Sequence, residues 1–265
     1  MSVNPQTGPS DYTDNIVNSI QAMDYMKNTL IAQAQQKLEQ DAAILETLPA
    51  QTAYSFSLAV LGQATQCLGL EQVGQPSEEL NSQDATLNMC TYIQSLWNNL
   101  AGGVSAYQAN GNNATTTQAE DAGDLVESLQ NLADLCHASY SDPSSPEYGW
   151  MAPQTAETMY NSCEQILNEI DPGGNEQGAT VANNILGWYS SYDSNPSGSS
   201  SSSQIDDCTS AMNTMINTMN QTSSVTTGLM KTGVSELQQY FGAIESSGQS
   251  QQQELNYFIQ NEIPS

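Results

Sequence analysis

Apolar residues return every three or four positions along nearly the whole of this chain, an interval that leaves it little alternative to helix. Between Asp14 and Leu48, Ile16, Ile20, Met23, Leu30, Ala34, Leu38 and Leu45 follow that spacing, which brings side chains back to one face of an α-helix. Ala42 lies beside the stripe, Lys27 and Asp41 interrupt it, and Leu48-Pro49 stops it. Such a helix is about 50 Å long. No segment has the period-2 alternation of a half-buried strand. The expected class is therefore all-α, a multi-helix bundle with long amphipathic helices near the N- and C-terminal ends.

The same reading places the shorter helices. Thr52 to Leu68 carries Tyr54, Leu58 and Leu61 on one face with Phe56, Val60, Ala64 and Cys67 close by, a width that argues for burial on two sides. A Gly and Pro break is expected at Gly74 to Pro76. The next helix, Gln83 to Tyr107, holds Met89, Ile93, Leu96, Trp97, Leu100 and Val104, and Gly102-Gly103 ends or bends it. After a polar loop at Asn110 to Thr116, Thr117 with Glu120 three residues on forms a capping-box pattern. It opens a helix with Ala122, Leu125, Val126, Leu129, Leu132 and Cys136 inside and with Asp121 and Asp124 at its positive end. Ser141 to Pro153 is a loop containing Tyr148 and Trp150. Met159, Cys163, Ile166 and Ile170 mark a fifth helix, which Asp171-Pro172-Gly173-Gly174 ends, and Val181, Ala182, Ile185, Leu186 and Tyr189 mark a sixth.

Residues 193–203, rich in Ser, Gly and Pro, read as a linker. The organisation expected is a disordered leader over 1–13, a helical domain over 14–192, that linker, and C-terminal helices over 204–265 that pack back on helix 14–48. In the last part Ile205, Cys208, Met212, Met215 and Met219 form a stripe that resumes at Leu229, Gly233, Leu237, Phe241 and Ile244. It is one long helix or a kinked pair, followed by a short segment with Leu255, Phe258, Ile259 and Ile263.

Composition narrows the partners. The formal charge of −26 arises from 29 acids set against only Lys27, Lys37 and Lys231, with no Arg. The acids are ordinary in number for this length; the missing bases are the anomaly. Ser, Thr, Asn and Gln keep the surface wet instead. Without clustered cations the chain cannot neutralise phosphates, which excludes nucleic acid as a direct partner and disfavours an anionic membrane. A basic protein, in contrast, would be attracted. No run of about eighteen apolar residues exists to span a bilayer, and no standard secretory signal is expected at the N-terminus.

Residues with chemical potential have structural readings. The five cysteines, Cys67, Cys90, Cys136, Cys163 and Cys208, are odd in number and lie in helical patterns more than twenty residues apart. They read as reduced core thiols, with one disulfide pair as the alternative. Without C-x-x-C spacing they do not make a zinc motif. His137 is the only histidine, and adjacent helical residues diverge by about 100°, so Cys136 and His137 cannot form a nucleophile and base. Asp171 to Gly178 lacks the alternating ligands of a calcium loop, and no phosphate-binding Gly-rich loop occurs. Glu120, Asp121 and Asp124, or Glu78 and Glu79, are carboxylate groupings to weigh for acid-base work, but acids at helix starts already have a structural reason. No catalytic residue, cofactor or metal is expected. Met212, Met215, Met219 and Met230 make a candidate interaction face, because methionine surfaces repack against varied partners; core filling is the competing reading.

Two long amphipathic segments, from about Asp14 to Leu48 and Ile205 to Ile244, thus enclose shorter helices and polar loops. This layout resembles that of bacterial filament, needle-tip and hydrophilic translocator proteins exported by type III secretion, whose terminal helices pair as a coiled coil. The resemblance implies export to the exterior or cell surface without a cleaved signal, a role in virulence, self-assembly or a secretion chaperone as partner, and no enzymatic activity. The alternative is a secreted effector that acts as a binding module on a basic partner; a cytoplasmic location is the alternative to secretion.

Overall fold

Helix accounts for nearly all of the computed structural model, which describes residues 8–174, 177–194 and 200–262, and no strand occurs among them. The chain is an all-α multi-helix bundle. In order it forms α1 (Pro9–Tyr25), α2 (Ala32–Thr47), α3 (Ala50–Gly69), α4 (Gln75–Gly102), α5 (Val104–Ala109), α6 (Thr116–Ser141), α7 (Pro153–Ile170), α8 (Gly178–Ser194) and α9 (Ser200–Glu262). Two short π-helical stretches, Met26–Ile31 and Leu70–Gly74, join α1 to α2 and α3 to α4.

Several boundaries depart from expectation for identifiable reasons. The leader was expected to run to residue 13, yet α1 starts at Pro9, where a missing N–H costs a helix nothing. Its first turn is held by Tyr12 stacked on Tyr92 at 4.5 Å and by Thr13, whose hydroxyl accepts from Asn131 at 3.1 Å. Residues 1–7 lie outside the described part. The break expected at Gly74 to Pro76 is absent. Pro76 lacks the N–H that would reach Gln72 O, and its ring would crowd that carbonyl. The helix absorbs this by widening: Gln75 N–H reaches back five residues to Leu70 O. The capping box of α6 is built two residues earlier than expected. Thr115, not Thr117, is the N-cap; its hydroxyl accepts from Gln118 N at 3.3 Å while its own N–H donates to Gln118 Oε1 at 2.9 Å. Asp121 and Asp124 consequently lie beyond the first turn, where the helix dipole no longer favours them.

By its contacts the chain forms two compact units: Met1–Gln21 with Asn81–Ser224, and Ala22–Leu80 with Val225–Ser265. The divisions fall inside α1, α4 and α9, not at the Ser-rich segment. Ser200–Ser203 already belong to α9, and residues 195–199 lie outside the described part. The expected split between 14–192 and 204–265 fails because the start of α9 is core to the first unit.

That core is extensive. α6 packs on α7 and α8, and the cluster from Ile16 and Ile20 through Met89, Ile93, Leu125, Leu129, Met159, Ile166, Ile185 and Met219 is continuous. Gly178 lets α8 start directly on α6: a Cβ there would stand 2.3 Å from Ala119 O. The loop after α6 is pinned. Trp150 is buried and donates through Nε1 to Leu135 O at 3.2 Å, Gly149 N–H reaches Ser139 O at 2.8 Å from a left-handed φ of 75°, and Ser139 Oγ bridges to Met151.

The second unit is built otherwise. α2 turns at Leu48-Pro49 and runs back along α3, and the two π-helical stretches meet, with Met26 beside Gly74. Glu71 accepts from Gln35 Nε2 at 2.6 Å. Thr226 donates to Glu79 at 3.3 Å and Gln72 to Glu236 at 2.8 Å, and Leu237 lies near Gly69. Rising numbers in α9 meet falling numbers in α3 and α4, so these helices are antiparallel. Gly233 is required here: a Cβ would stand 2.6 Å from Gln72 O, the carbonyl that Pro76 leaves without its helical donor. Both terminal segments thus meet the middle stretch around Gln72.

Candidate interaction surface

The residues singled out for chemistry are mostly interior and separate. All five cysteines are free thiols and buried. Burial pushes Cys90 and Cys208 up to about 12, raises Cys136 further and holds Cys163 well above the ordinary thiol range; Cys136 and Cys90 also oppose ionisation of Cys163. Cys163 Sγ lies 3.4 Å from Met215 Sδ. Thiols held this far from their thiolate form are poor nucleophiles. His137 sits on the exposed side of α6, its ring 5.4 Å from Tyr140 and 5.1 Å from Tyr160, while Cys136 faces the core. Among the described residues no group of three or more His, Cys, Asp or Glu comes together as a metal site, and no helix is long and apolar enough to cross a membrane.

The acidic groupings have local duties. Asp124 accepts from Tyr92 OH at 2.9 Å. The tyrosine is raised first by burial and then by that carboxylate; Asp121 is raised by burial and by its neighbours Asp124 and Glu120. Glu79 accepts from Thr226.

The methionine face is a correction. Met212, Met215 and Met219 are buried inside the first unit, and Met230, in the second, is half-buried. The α9 stripe turns these three inward, Met215 lying against Cys163 of α7, so they fill core and present nothing to a partner.

What faces solvent is elsewhere. Of the 36 buried hydrophobics among the described residues, all but Ile31 and Cys67 belong to the first unit. No residue of α2 is buried, and Phe56, Leu58 and Val60 of α3 are only half-buried. Eight large hydrophobics of the second unit are exposed: Tyr25, Ile44, Leu61, Val225, Leu229, Val234, Tyr240 and Phe241. Helical geometry explains the pattern in α9. At about 100° per residue, Thr226, Met230, Gly233, Leu237 and Ile244 form a narrow inward seam. Val225, Leu229 and Tyr240 fall on one flank of it, Val234 and Phe241 on the other. The Leu229 and Phe241 assigned to the stripe are therefore flanking residues, 61 % and 60 % exposed. Sequence spacing found the helix but not its uncovered flanks; the sign was an apolar arc about half the circumference wide, more than one neighbouring helix can cover.

Charge divides along the same line. The first unit carries eighteen of the acids and no Lys or Arg, whereas all three lysines lie in the second beside eleven acids. Compared with protein-family models, curated proteins and solved structures, the chain matches none.

Proposed function

We propose that this chain is a non-enzymatic protein that works by contacting other proteins, and that the second unit supplies the contact surface. The observation that carries this reading is the disparity in burial. Among the described residues, one unit has a full core, while the other leaves eight large apolar side chains in water and buries Ile31 and Cys67. Isolated surface hydrophobics are ordinary, but concentration in one unit with no core of its own marks a surface made to be covered. The layout resemblance to filament, needle-tip and hydrophilic translocator subunits of type III secretion supports an exported structural role of that kind.

A second reading draws on the first unit, whose eighteen acids and no bases favour a basic partner, as for a secreted effector. The two readings place the contact on different units.

Hydrogen exchange on the purified chain, kept dilute enough to be monomeric, tests the main proposal. Amides of residues 225–250 are expected to exchange much faster than those of α6 and α7, because few buried contacts hold them. Equal protection of both regions in a monomer would refute it.

A further inference from the structure

We infer that the second unit is covered by the same unit of a second copy of this chain, packed along the apolar flanks of α9. The inference rests on the reading of that unit as a contact surface and names its occupant.

Two independent observations point to a like partner. The first is the placement of apolar surface on both sides of the α9 seam. Leu229 and Tyr240 on one flank and Phe241 on the other leave room for a further helix against each, with α3 as a ready donor. Its sequence asks for cover on two sides, while its Phe56, Leu58 and Val60 are only half-buried.

The second is the state of the lysines. Lys27, Lys37 and Lys231 are exposed, in a chain that holds 29 acids. All three are confined to the one unit whose apolar residues are uncovered. A strongly basic partner would find better complementarity on the first unit, which carries eighteen acids and no Lys or Arg. A unit that carries both signs can pair with a copy of itself. In a two-fold contact each lysine of one copy can face an acid of the other, such as Asp24, Glu39 or Glu236, and the reverse pairing follows by symmetry. The same lysines lower the like-charge repulsion that a chain of net charge −26 must overcome to associate.

Sedimentation velocity of the full chain over a hundredfold concentration range is the test, with two variants beside the natural sequence. Leu229→Gln with Phe241→Gln removes apolar surface; Lys27→Glu with Lys37→Glu and Lys231→Glu removes the cations. All five side chains are exposed, so folding is expected to survive, and circular dichroism checks it. The expected result is concentration-dependent association of the natural chain, weakened about tenfold or more in each variant. Carbodiimide crosslinking of mixed light and 15N-labelled chains should then yield mixed-isotope peptides joining these lysines to acids of the second unit. Association unchanged in either variant overturns the proposal. A monomer at every concentration overturns it too, and exchange then separates the causes. Fast exchange over 225–250 leaves the contact reading standing with a different partner; slow exchange there removes both.

Discussion

Raising the pH from 7 to 10 should destabilise the first unit through three thiols that this fold will not allow to ionise. Cys90, Cys136 and Cys163 are fully buried, and burial lifts each above the ordinary value of 9.0: Cys90 to about 12, Cys136 further, and Cys163 well above that ordinary value. A group whose native state holds its proton more tightly adds nothing while both states are protonated, so stability is unaffected below about pH 8. Above 9 the unfolded chain sheds these protons and the native one does not, and stability falls until the native thiols titrate, near 12 for Cys90. At pH 10 this amounts to a little over 1 kcal/mol per thiol, about 4 kcal/mol for three, against a typical total of about 5–15 kcal/mol. Trp97, Trp150 and Trp188 all lie in the first unit, so urea unfolding followed by tryptophan fluorescence reports on it alone. The comparison is with Cys90→Ala, Cys136→Ala and Cys163→Ala combined. That variant starts less stable because of its cavities, but cavity costs do not depend on pH. The natural chain should lose about 4 kcal/mol more than the variant between pH 8 and 10. Parallel curves would refute the reasoning and place the thiols in contact with water.

Two further outcomes follow from the packing. Gly178→Ala should cost about 1–3 kcal/mol in the same unfolding assay, since the new methyl would meet Ala119 O at 2.3 Å, backbone that cannot yield; an unchanged midpoint would show that α8 can shift off α6. A chain ending at Ser224 should keep cooperative unfolding of the first unit, whereas one ending at Ser203 loses Cys208, Met212, Met215 and Met219 from the core and should lose its near-ultraviolet dichroism, each such deletion being worth about 2–5 kcal/mol.

The helices were legible because their apolar residues obey the helical period without competition. Met159, Cys163, Ile166 and Ile170 are all fully buried, as their spacing requires. Local chemistry misled where two choices were nearly equal in sequence. Thr115 with Gln118 and Thr117 with Glu120 both satisfy the capping pattern, and the position of Gln118, which also donates to Gly103 O at 2.9 Å, selects the first. Gly74 to Pro76 reads as a break because proline ends most helices, but a single widened turn costs less than ending a helix flanked by packing partners. The division into units was not legible. A Ser-rich stretch is a compositional signal, whereas the true divisions run through uninterrupted helices whose pattern stays amphipathic on both sides.

The candidate surface shows why periodicity falls short for function. A period gives the direction of the apolar face but not whether anything covers it, so Met215 and Leu229, members of one apparent stripe, end with opposite fates. What separates them is the company each keeps: α9 meets the packed core of the first unit over Cys208 to Met219 and, among the described residues, the α3 and α4 junction beyond Val225. A helix so thinly covered gains little stability from its own chain, since most helical stability comes from tertiary packing. On the proposed reading the remainder comes from association, so the stability of the second unit depends on protein concentration while that of the first does not. The polar surface and high net charge then have a definite role. They set a repulsive threshold that keeps dilute chains apart, and only the unit that retains lysines lowers it.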